Sequence, residues 1–494
     1  MTVALIVATL LQVTATPAGA VVDPALITGL EGVVALSPPD TCLRVDLGRA
    51  NVYRHQADRP LVPASTQKLL VAHVALDTLG AQHRSRTLLR GPEPVEGVVF
   101  GDLTLVGGGD PLLTTATYAF VQRTADQPLT FLDALADQVV AAGITHVTGA
   151  VFGDESRYDS LRTVATWPAR YLTQNQIGPL GALSVNDGFS LELAPPGETT
   201  PPKRSRAVDP ALDAASIFTA LLRDRGVIVQ GEPTNGIGST LEGAPTVSDL
   251  AFIESAPLSD VVRQLLEQSD NGTAELLTKE LGLVGAGAGT TQAGTSFIEQ
   301  RAQELGLPAG GVQMMDGSGL DPANTTTCDE LVSVLAASGG PAGTLGAALP
   351  IAGRTGTLRG RFRGTPAEGR LRAKTGSLNG VTSLAGFVEM PDGQIATFAY
   401  IANGPQAEDP RRGQDFLGAL LAQYEQLCLA APVEPLVVPV GAYLVRAAPL
   451  AGPVVPAALG PALTVALEVF EEQPHAVVGS CLADDPDFSL RLPA

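Results

Sequence analysis

The chain has 494 residues, of which 45% are hydrophobic, so it can bury the cores of roughly two to four domains. Its formal net charge of −20 argues against nucleic acid as a partner, because a phosphate backbone is bound through a basic surface. The charge does not exclude an anionic substrate, since a local cationic cleft can dominate the field around a site.

The N-terminus has the features of a secretory signal peptide. Residues 1–20 carry no charged side chain, residues 3–11 are apolar, and Ala18-Gly19-Ala20 fits an A-x-A cleavage site. The basic segment that usually precedes the apolar stretch is missing, so a buried first helix is the alternative. The signal predicts a secreted, extracytoplasmic protein of the cell envelope. Prolines interrupt the later apolar stretch at 447–467, so no transmembrane segment is expected after signal removal.

The next elements predict an antiparallel pair of strands and then a helix. Residues 42–47 and 50–53 alternate between apolar and polar side chains, as paired strands do. From Ser65 the apolar residues recur at helical spacing, and Gly80 is a plausible stop. A different module follows between residues 87 and 249. Its predicted elements are a helix at 130–143, a strand at 147–153, a loop at 195–202, a helix at 214–225 and a strand at 227–229.

Helical patterns return at Leu258, where Ser259 is a fair N-cap. Further helices are predicted at 290–306 and 327–338, a β-hairpin at 381–389 and 395–401, and a closing helix at 410–429. We therefore predict an α+β fold, an antiparallel sheet flanked by helices with an inserted α/β module. The predicted division is a signal peptide at 1–20, a discontinuous domain at 21–86 and 250–431, an insert at 87–249, and a Pro-rich extension of unknown role at 432–494.

Four cysteines suit an exported protein with two disulfides. Three connectivities are possible, and we favour Cys42–Cys328 with Cys428–Cys481. Buried free thiols are the alternative. None of the cysteines has the spacing of a zinc ligand pair.

Only four of the 31 basic residues are lysines, and two of them lie in motifs that need an amine able to lose its proton. Residues 65–68 (STQK) form an S-x-x-K motif in which Lys68 lies one helical turn after Ser65. A neutral Lys68 could take the proton of the Ser65 hydroxyl, provided that burial and a nearby cation such as Lys374 lower its pKa. A solvated lysine and a helix-capping serine are the simpler interpretations of this motif taken alone.

Ser269-Asp270-Asn271 (S-D-N) joins two predicted helices, so both outer side chains can point into a cleft. Ser269 would relay a proton to a leaving amine, and Asn271 would hold a substrate amide. A polar turn between helices is the alternative. Residues 184–186 (SVN) and 377–379 (SLN) also match S-x-N but lie in a different predicted context.

Residues 374–376 (KTG) precede the predicted hairpin, as an edge strand would. Lys374 and Thr375 could bind a carboxylate, and Gly376 lets a substrate lie against the strand. The backbone N–H groups of Ser65 and Ser377 would form an oxyanion hole. The alternative for K-T-G is an exposed strand end. A similar RTG at 354–356 is followed by several arginines and is interpreted as a charged loop.

The order S-x-x-K, S-D-N, K-T-G resembles that of penicillin-binding proteins and class A β-lactamases. The gaps of 204 and 105 residues between the motifs resemble the class C low-molecular-mass penicillin-binding proteins, the D-alanyl-D-alanine carboxypeptidase/endopeptidase family. The resemblance runs from about Cys42 to Cys428. It is carried by residues 63–70 (PASTQKLL), 101–111 (GDLTLVGGGDP), 316–320 (DGSGL) and 372–376 (RAKTG).

This resemblance implies cleavage of D-Ala-D-Ala in peptidoglycan stem peptides through a Ser65 acyl-enzyme, and covalent capture by β-lactams at the same serine, without a metal or cofactor. Some family members bind a diaminopimelate side chain with an aspartate of the insert, for which Asp110 is the candidate. They also use an arginine after the DGSGL segment, where this chain has Asp321. A catalytically inactive wall-binding or β-lactam-sensing homologue, and a β-lactamase or esterase on the same scaffold, are the alternatives. Carboxypeptidase and endopeptidase action use the same residues, so both remain open.

Overall fold

The structure is a computed structural model that describes residues 23–123, 127–192, 202–236, 247–404 and 411–424. The chain divides into two compact units, one of residues 27–424 and one of the two termini together, of which only residues 23–26 are described. The predicted signal peptide, the predicted extension at 432–494 and the predicted Cys428–Cys481 pair lie outside the described residues. No helix in the described ranges is long and apolar enough to cross a membrane.

The described chain contains both α-helices and β-strands. The helices are α1 (Pro24–Ala35), α2 (Lys68–Leu79), α3 (Ala116–Gln122), α4 (Leu132–Ala141), α5 (Ala169–Thr173), α6 (Pro210–Asp224), α7 (Leu258–Gln268), α8 (Asn271–Ala286), α9 (Thr291–Glu304), α10 (Cys328–Ala337), α11 (Thr344–Ala347) and α12 (Arg412–Gln423). The strands are β1 (Asp40–Leu47), β2 (Ala50–His55), β3 (Arg86–Pro92), β4 (Val98–Val99), β5 (Leu103–Val106), β6 (Leu113–Thr114), β7 (Thr130–Phe131), β8 (His146–Val147), β9 (Val151–Asp154), β10 (Phe189–Glu192), β11 (Lys203–Arg206), β12 (Ile228–Val229), β13 (Thr234–Asn235), β14 (Val247–Glu254), β15 (Leu371–Leu378), β16 (Val381–Glu389) and β17 (Ile395–Asn403).

One antiparallel sheet, in the order β15-β16-β17-β1-β2, forms the centre of the domain that carries the motifs. β16 and β17 are buried along almost their whole length, as strands covered on both faces are. Phe387 and Ile401 pack in a cluster with residues of α2, α7, α8 and α10. On the other face, α12 packs against β16 and Gln414 donates to Thr382 over 2.9 Å. The predicted α+β fold, with an antiparallel sheet flanked by helices, is confirmed.

A second sheet, in the order β13-β9-β5-β3-β14, has its own hydrophobic cluster with α4 and α6. β9 pairs in parallel with β5 and β13, whereas β3 pairs antiparallel with β5 and β14. We propose that these elements form the inserted domain. The predicted end of the insert at residue 249 falls inside β14, because β14 pairs with β3 until Glu254.

A third cluster joins the insert to the helices that carry the motifs. Trp167, Tyr171 and Ile177 of the insert pack against Leu276 of α8 and Leu320 of the DGSGL segment. Arg157 of the insert also forms an ion pair with Glu280 of α8 at 2.5 Å. Both the apolar contacts and the ion pair therefore fix the insert beside α8, the helix that begins with the S-D-N motif.

The predicted Cys42–Cys328 disulfide is present and joins β1 to the start of α10. Several local predictions differ from the structure. The helix predicted at 130–143 is preceded by β7 and runs as α4 from Leu132 to Ala141, and the helix predicted at 214–225 begins earlier, as α6 at Pro210. The single strand expected at 147–153 is divided into β8 and β9. The division lies at Gly149, which packs against Gly101 and whose backbone N–H donates to the Gly101 carbonyl over 2.9 Å. α7 begins at Leu258 with Pro257 in the capping position, so Ser259 is not the N-cap. The described part of the closing helix runs only from Arg412 to Gln423.

Candidate active site

Ser65 lies in a single 3-10 turn, Ala64–Gln67, directly before α2. α2 begins with Lys68, and the Lys68 amine lies 2.8 Å from the Ser65 hydroxyl oxygen. Ala64 has a φ of 49°, in the left-handed region that residues with a side chain seldom adopt. Such strain is found where the surrounding structure holds a functional group in place. The S-x-x-K spacing thus brings an alcohol and an amine into direct contact.

The Lys68 amine is completely buried and has three oxygen neighbours. It lies 2.8 Å from Ser65 Oγ and 2.8 Å from Asn271 Oδ1, and it donates to the carbonyl of Ser318. Burial lowers the pKa of Lys68 to about 8, although the carboxylates of Asp316, Glu275 and Asp270 oppose the shift. The S-x-x-K lysine is therefore close to the balance between ammonium and free amine near neutral pH, as a general base requires.

The S-D-N segment is the turn between α7 and α8. Ser269 ends α7 in a left-handed conformation with a φ of 57°, and the Asp270 side chain caps α8 by accepting from Thr273 N at 3.0 Å. Asn271 is the first residue of α8, and its Nδ2 donates to the Gln176 carbonyl over 2.9 Å. Of the two other S-x-N segments, 184–186 lies inside the insert, where Asn186 accepts from Thr114. The segment at 377–379 directly follows K-T-G at the end of β15 and so belongs to the same site.

The K-T-G segment lies on β15, an edge strand of the central sheet. The Lys374 amine donates to Ser269 Oγ over 2.8 Å and thereby links two of the three motifs. Gly376 passes so close to the nucleophile turn that a Cβ would lie 2.8 Å from the Pro63 carbonyl and 3.0 Å from Ser65 N. Any side chain at residue 376 would push the strand away from Ser65.

Burial is the main cause of the lowered pKa of Lys68. Burial and then the positive charge of Lys68 hold the pKa of Lys374 well below its usual value. The repulsion between the two amines is mutual, so each disfavours the charged form of the other. An anion bound beside Lys374 would favour its charged form.

The three motifs meet at a cleft of about 720 Å³. Among the residues that the structure describes, three arginines line it, Arg170 from the insert and Arg361 and Arg411 from the rest of the chain, and no acidic side chain does. A protein with a net charge of −20 thus has a locally cationic cleft, which favours an anionic ligand. The cleft is lined by Ser65, Arg170, Tyr171, Gln174, Gln176, Ser269, Asn271, Leu320, Thr357, Gly360, Arg361, Thr375, Gly376, Ser377, Leu378, Asn379 and Arg411.

Asp110 is the one predicted site residue that the structure does not bring to this cleft. It is 3% exposed, its Oδ1 accepts from Leu112 N at 2.9 Å, and burial raises its pKa to about 6. Asp321, at the position where an arginine was sought, accepts from Ala323 N at 2.8 Å and does not line the cleft.

Sequence reasoning missed several residues around the site. The segment after the RTG decoy forms part of the wall, since Thr357 accepts from Thr375 over 2.9 Å and Arg361 lines the cleft. Arg170 and Gln176 come from the insert, where no motif marked them. Glu275 is buried behind Lys68, and its spacing of four residues from Asn271 placed it on the same face of α8.

Comparison with known proteins matches residues 45–209 and 193–424 to the model of the D-Ala-D-Ala carboxypeptidase 3 (S13) family. The chain is 31% identical over 471 residues to a D-alanyl-D-alanine carboxypeptidase of Actinomadura sp. strain R39, covering 81% of this chain and 83% of the relative. The match therefore includes all three motifs and the insert between them.

Among solved structures, penicillin-binding protein 4 of Haemophilus influenzae superposes with a TM-score of 0.64 at 22% identity, covering 79% of this chain and 97% of that one. The same protein in complex with a β-lactam superposes with a TM-score of 0.57 and equal coverage. At this identity the likeness supports the fold, and the fold agrees with the central sheet and the insert described above.

Proposed function

The chain belongs to the D-Ala-D-Ala carboxypeptidase 3 (S13) family and is a serine-type D-alanyl-D-alanine carboxypeptidase, and we propose that it acts through an acyl-enzyme formed on Ser65. The observation that carries the proposal is the 2.8 Å contact between Ser65 Oγ and a completely buried lysine amine. Serine needs a base to become a nucleophile, and Lys68 is the group placed to serve as that base.

In the proposed acylation, Ser65 Oγ attacks the carbonyl carbon of the penultimate D-Ala while Lys68 takes the hydroxyl proton. The backbone N–H groups of Ser65 and Ser377 stabilise the negative charge that develops on the carbonyl oxygen. The C–N bond then breaks, and the terminal D-Ala leaves with a proton relayed through Ser269. Water hydrolyses the ester, restoring the Ser65 hydroxyl and releasing the shortened peptide.

The proposed substrate is a peptidoglycan stem peptide, whose terminal carboxylate suits the cationic cleft. Thr375, which lines the cleft, would bind this carboxylate, with the buried Lys374 supplying positive charge behind it, and Gly376 would leave room for the peptide beside the strand. Asn271 would bind a substrate amide, since its side chain reaches the cleft from the start of α8. Arg361 also lines the cleft, where its guanidinium forms an ion pair with Asp415.

The proposed location is outside the cytoplasm, in the cell envelope. The Cys42–Cys328 disulfide supports it, because such bonds persist in oxidising compartments.

Incubation with a labelled penicillin should give a stable adduct that peptide mapping places on Ser65. A stem pentapeptide ending in D-Ala-D-Ala should lose one D-Ala, as read by mass, and the same peptide with an amidated C-terminus should react poorly. The Ser65→Ala variant should do neither. Rapid turnover of the penicillin would instead favour a β-lactamase, and absence of any adduct would favour an inert binder. A cross-linked dimer, offered in parallel, measures endopeptidase action.

The rate of acylation by penicillin should rise with pH, with a midpoint near the lowered pKa of Lys68, about 8. The rate should rise because only the neutral Lys68 amine can accept a proton, and the neutral fraction grows as the pH rises through the pKa. The second-order rate constant of acylation, measured from about pH 6 to pH 10, tests this. A rate that stayed flat across that range, or fell, would contradict Lys68 as the base.

A further inference from the structure

Behind Lys68 lies a buried pair of carboxyl groups that the proposed reaction does not use. Glu275 is fully buried on α8, and Asp316 is fully buried at the start of the DGSGL segment. Glu275 Oε1 accepts from the backbone N–H groups of Gly317 at 3.0 Å and Ser318 at 2.7 Å. These bonds fasten the segment to α8 at the residue whose carbonyl accepts from Lys68.

The other carboxyl group holds the same segment from within. Asp316 Oδ1 accepts from Gly319 N at 2.7 Å, and Oδ2 accepts from Asp321 N at 2.7 Å and from the Trp167 indole at 2.7 Å. Asn324 donates to Oδ1 over 2.9 Å. Asp316 is therefore satisfied by four donors inside its own loop and the insert, whereas Glu275 makes the connection to the helix of the S-D-N motif.

We propose that Glu275 is a positioning residue: its carboxyl group holds the 317–318 turn so that the Ser318 carbonyl keeps the Lys68 amine within reach of Ser65. This inference rests on the proposed roles of Ser65 and Lys68. The Lys68 amine has three oxygen neighbours, of which Ser65 and Asn271 belong to the motifs. The third, from Ser318, depends on a loop whose bonds to α8 come from Glu275.

Charge supports the same assignment. The charged groups that face Lys68 are Lys374 from β15, Asp270 from the S-D-N turn, Asp316 from the loop and Glu275 from α8. Burial is the main cause, and the neighbouring Asp316 the second, by which the pKa of Glu275 rises to about 8, while the bonds from Ser318 and the charge of Lys68 oppose the rise. Ionisation of Glu275 is thereby disfavoured, which limits the negative charge beside the base.

Two substitutions separate the hydrogen bonds from the charge. Glu275→Gln keeps an oxygen that can accept from Gly317 and Ser318, so acylation by penicillin at neutral pH should stay within about threefold of the wild type. Glu275→Ala removes the acceptor, and acylation should fall roughly 100-fold, because small displacements of a reacting group have effects of that size. The glutamine variant should also reach its acylation plateau at lower pH, since it cannot ionise beside Lys68.

Glu280→Gln is the matched control, because Glu280 is a second buried carboxylate of α8 that bonds Arg157 and not the loop. It should lower the Tm while leaving the pH profile of acylation unchanged. The assignment is overturned if Glu275→Ala acylates at the wild-type rate. It is also overturned if the loss of acylation in both Glu275 variants follows only their loss of Tm, as in the control variant. Absence of an adduct on wild-type Ser65 would overturn the proposed function as well, so the two failures are distinguishable.

Discussion

Replacing Lys68 by arginine should reduce acylation of Ser65 by a β-lactam roughly 1,000-fold or more. Arginine retains the positive charge and much of the length of the side chain, but its guanidinium group does not lose a proton in proteins. The Ser65 hydroxyl would then lie beside a permanent cation that cannot accept its proton. A second cost arises from space, since the Lys68 amine is completely buried and a planar guanidinium cannot bond Ser65, Asn271 and Ser318 in the same way.

Lys279→Arg provides the matched control. Lys279 is another of the four lysines, is 1% exposed on α8 and pairs with Asp159. An arginine at residue 279 keeps the ion pair with Asp159. It must fit a larger group into a buried site, as at residue 68, but no catalytic step uses its proton. Stopped-flow acylation with a fluorescent penicillin, together with Tm for both variants, separates chemistry from folding. An Lys68→Arg enzyme that acylates within tenfold of the wild type would refute the proposed base.

The parts of the site that could be predicted are those that local sequence determines. A serine three residues before a lysine at a helix start predicts that the two side chains share one face, and Ser65 and Lys68 are in contact. A K-T-G followed by alternating apolar residues and a turn identifies an edge strand, and β15 is one. The helices predicted at 290–306 and 327–338 are α9 and α10, which Thr290 and Thr327 cap.

The remaining features depend on contacts between distant segments. The position of β1 between β17 and β2 brings together residues more than 340 apart, and no local pattern encodes such pairing. Arg170 and Gln176 reach the cleft only because the insert packs against α8 and Leu320. The family resemblance alone suggested Asp110 as a ligand of a substrate side chain, and the fold buries it away from the cleft.

Removing the Cys42–Cys328 disulfide should lower the free energy of unfolding by about 3 to 5 kcal/mol. The bond closes a loop with a sequence separation of 286 residues, which contains the whole insert and two of the three motifs, S-x-x-K and S-D-N. In the unfolded chain this link removes more conformational freedom than a short one would. In the folded chain it ties a central strand to α10, where Asp329 already forms ion pairs with Arg44 and Arg54.

A Cys42→Ala, Cys328→Ala double variant tests this without leaving a reactive thiol in the core, since both residues are completely buried. We expect a clearly lower Tm and faster unfolding in denaturant, with the wild type approaching the variant when a reductant is added. The ion pairs and the packing of α10 on the central sheet act in the folded state and survive the substitution, so the loss measures chiefly the constraint on the unfolded chain. Equal free energies of unfolding for the oxidised wild type and the double variant would mean that the stabilising role assigned to the bond is wrong.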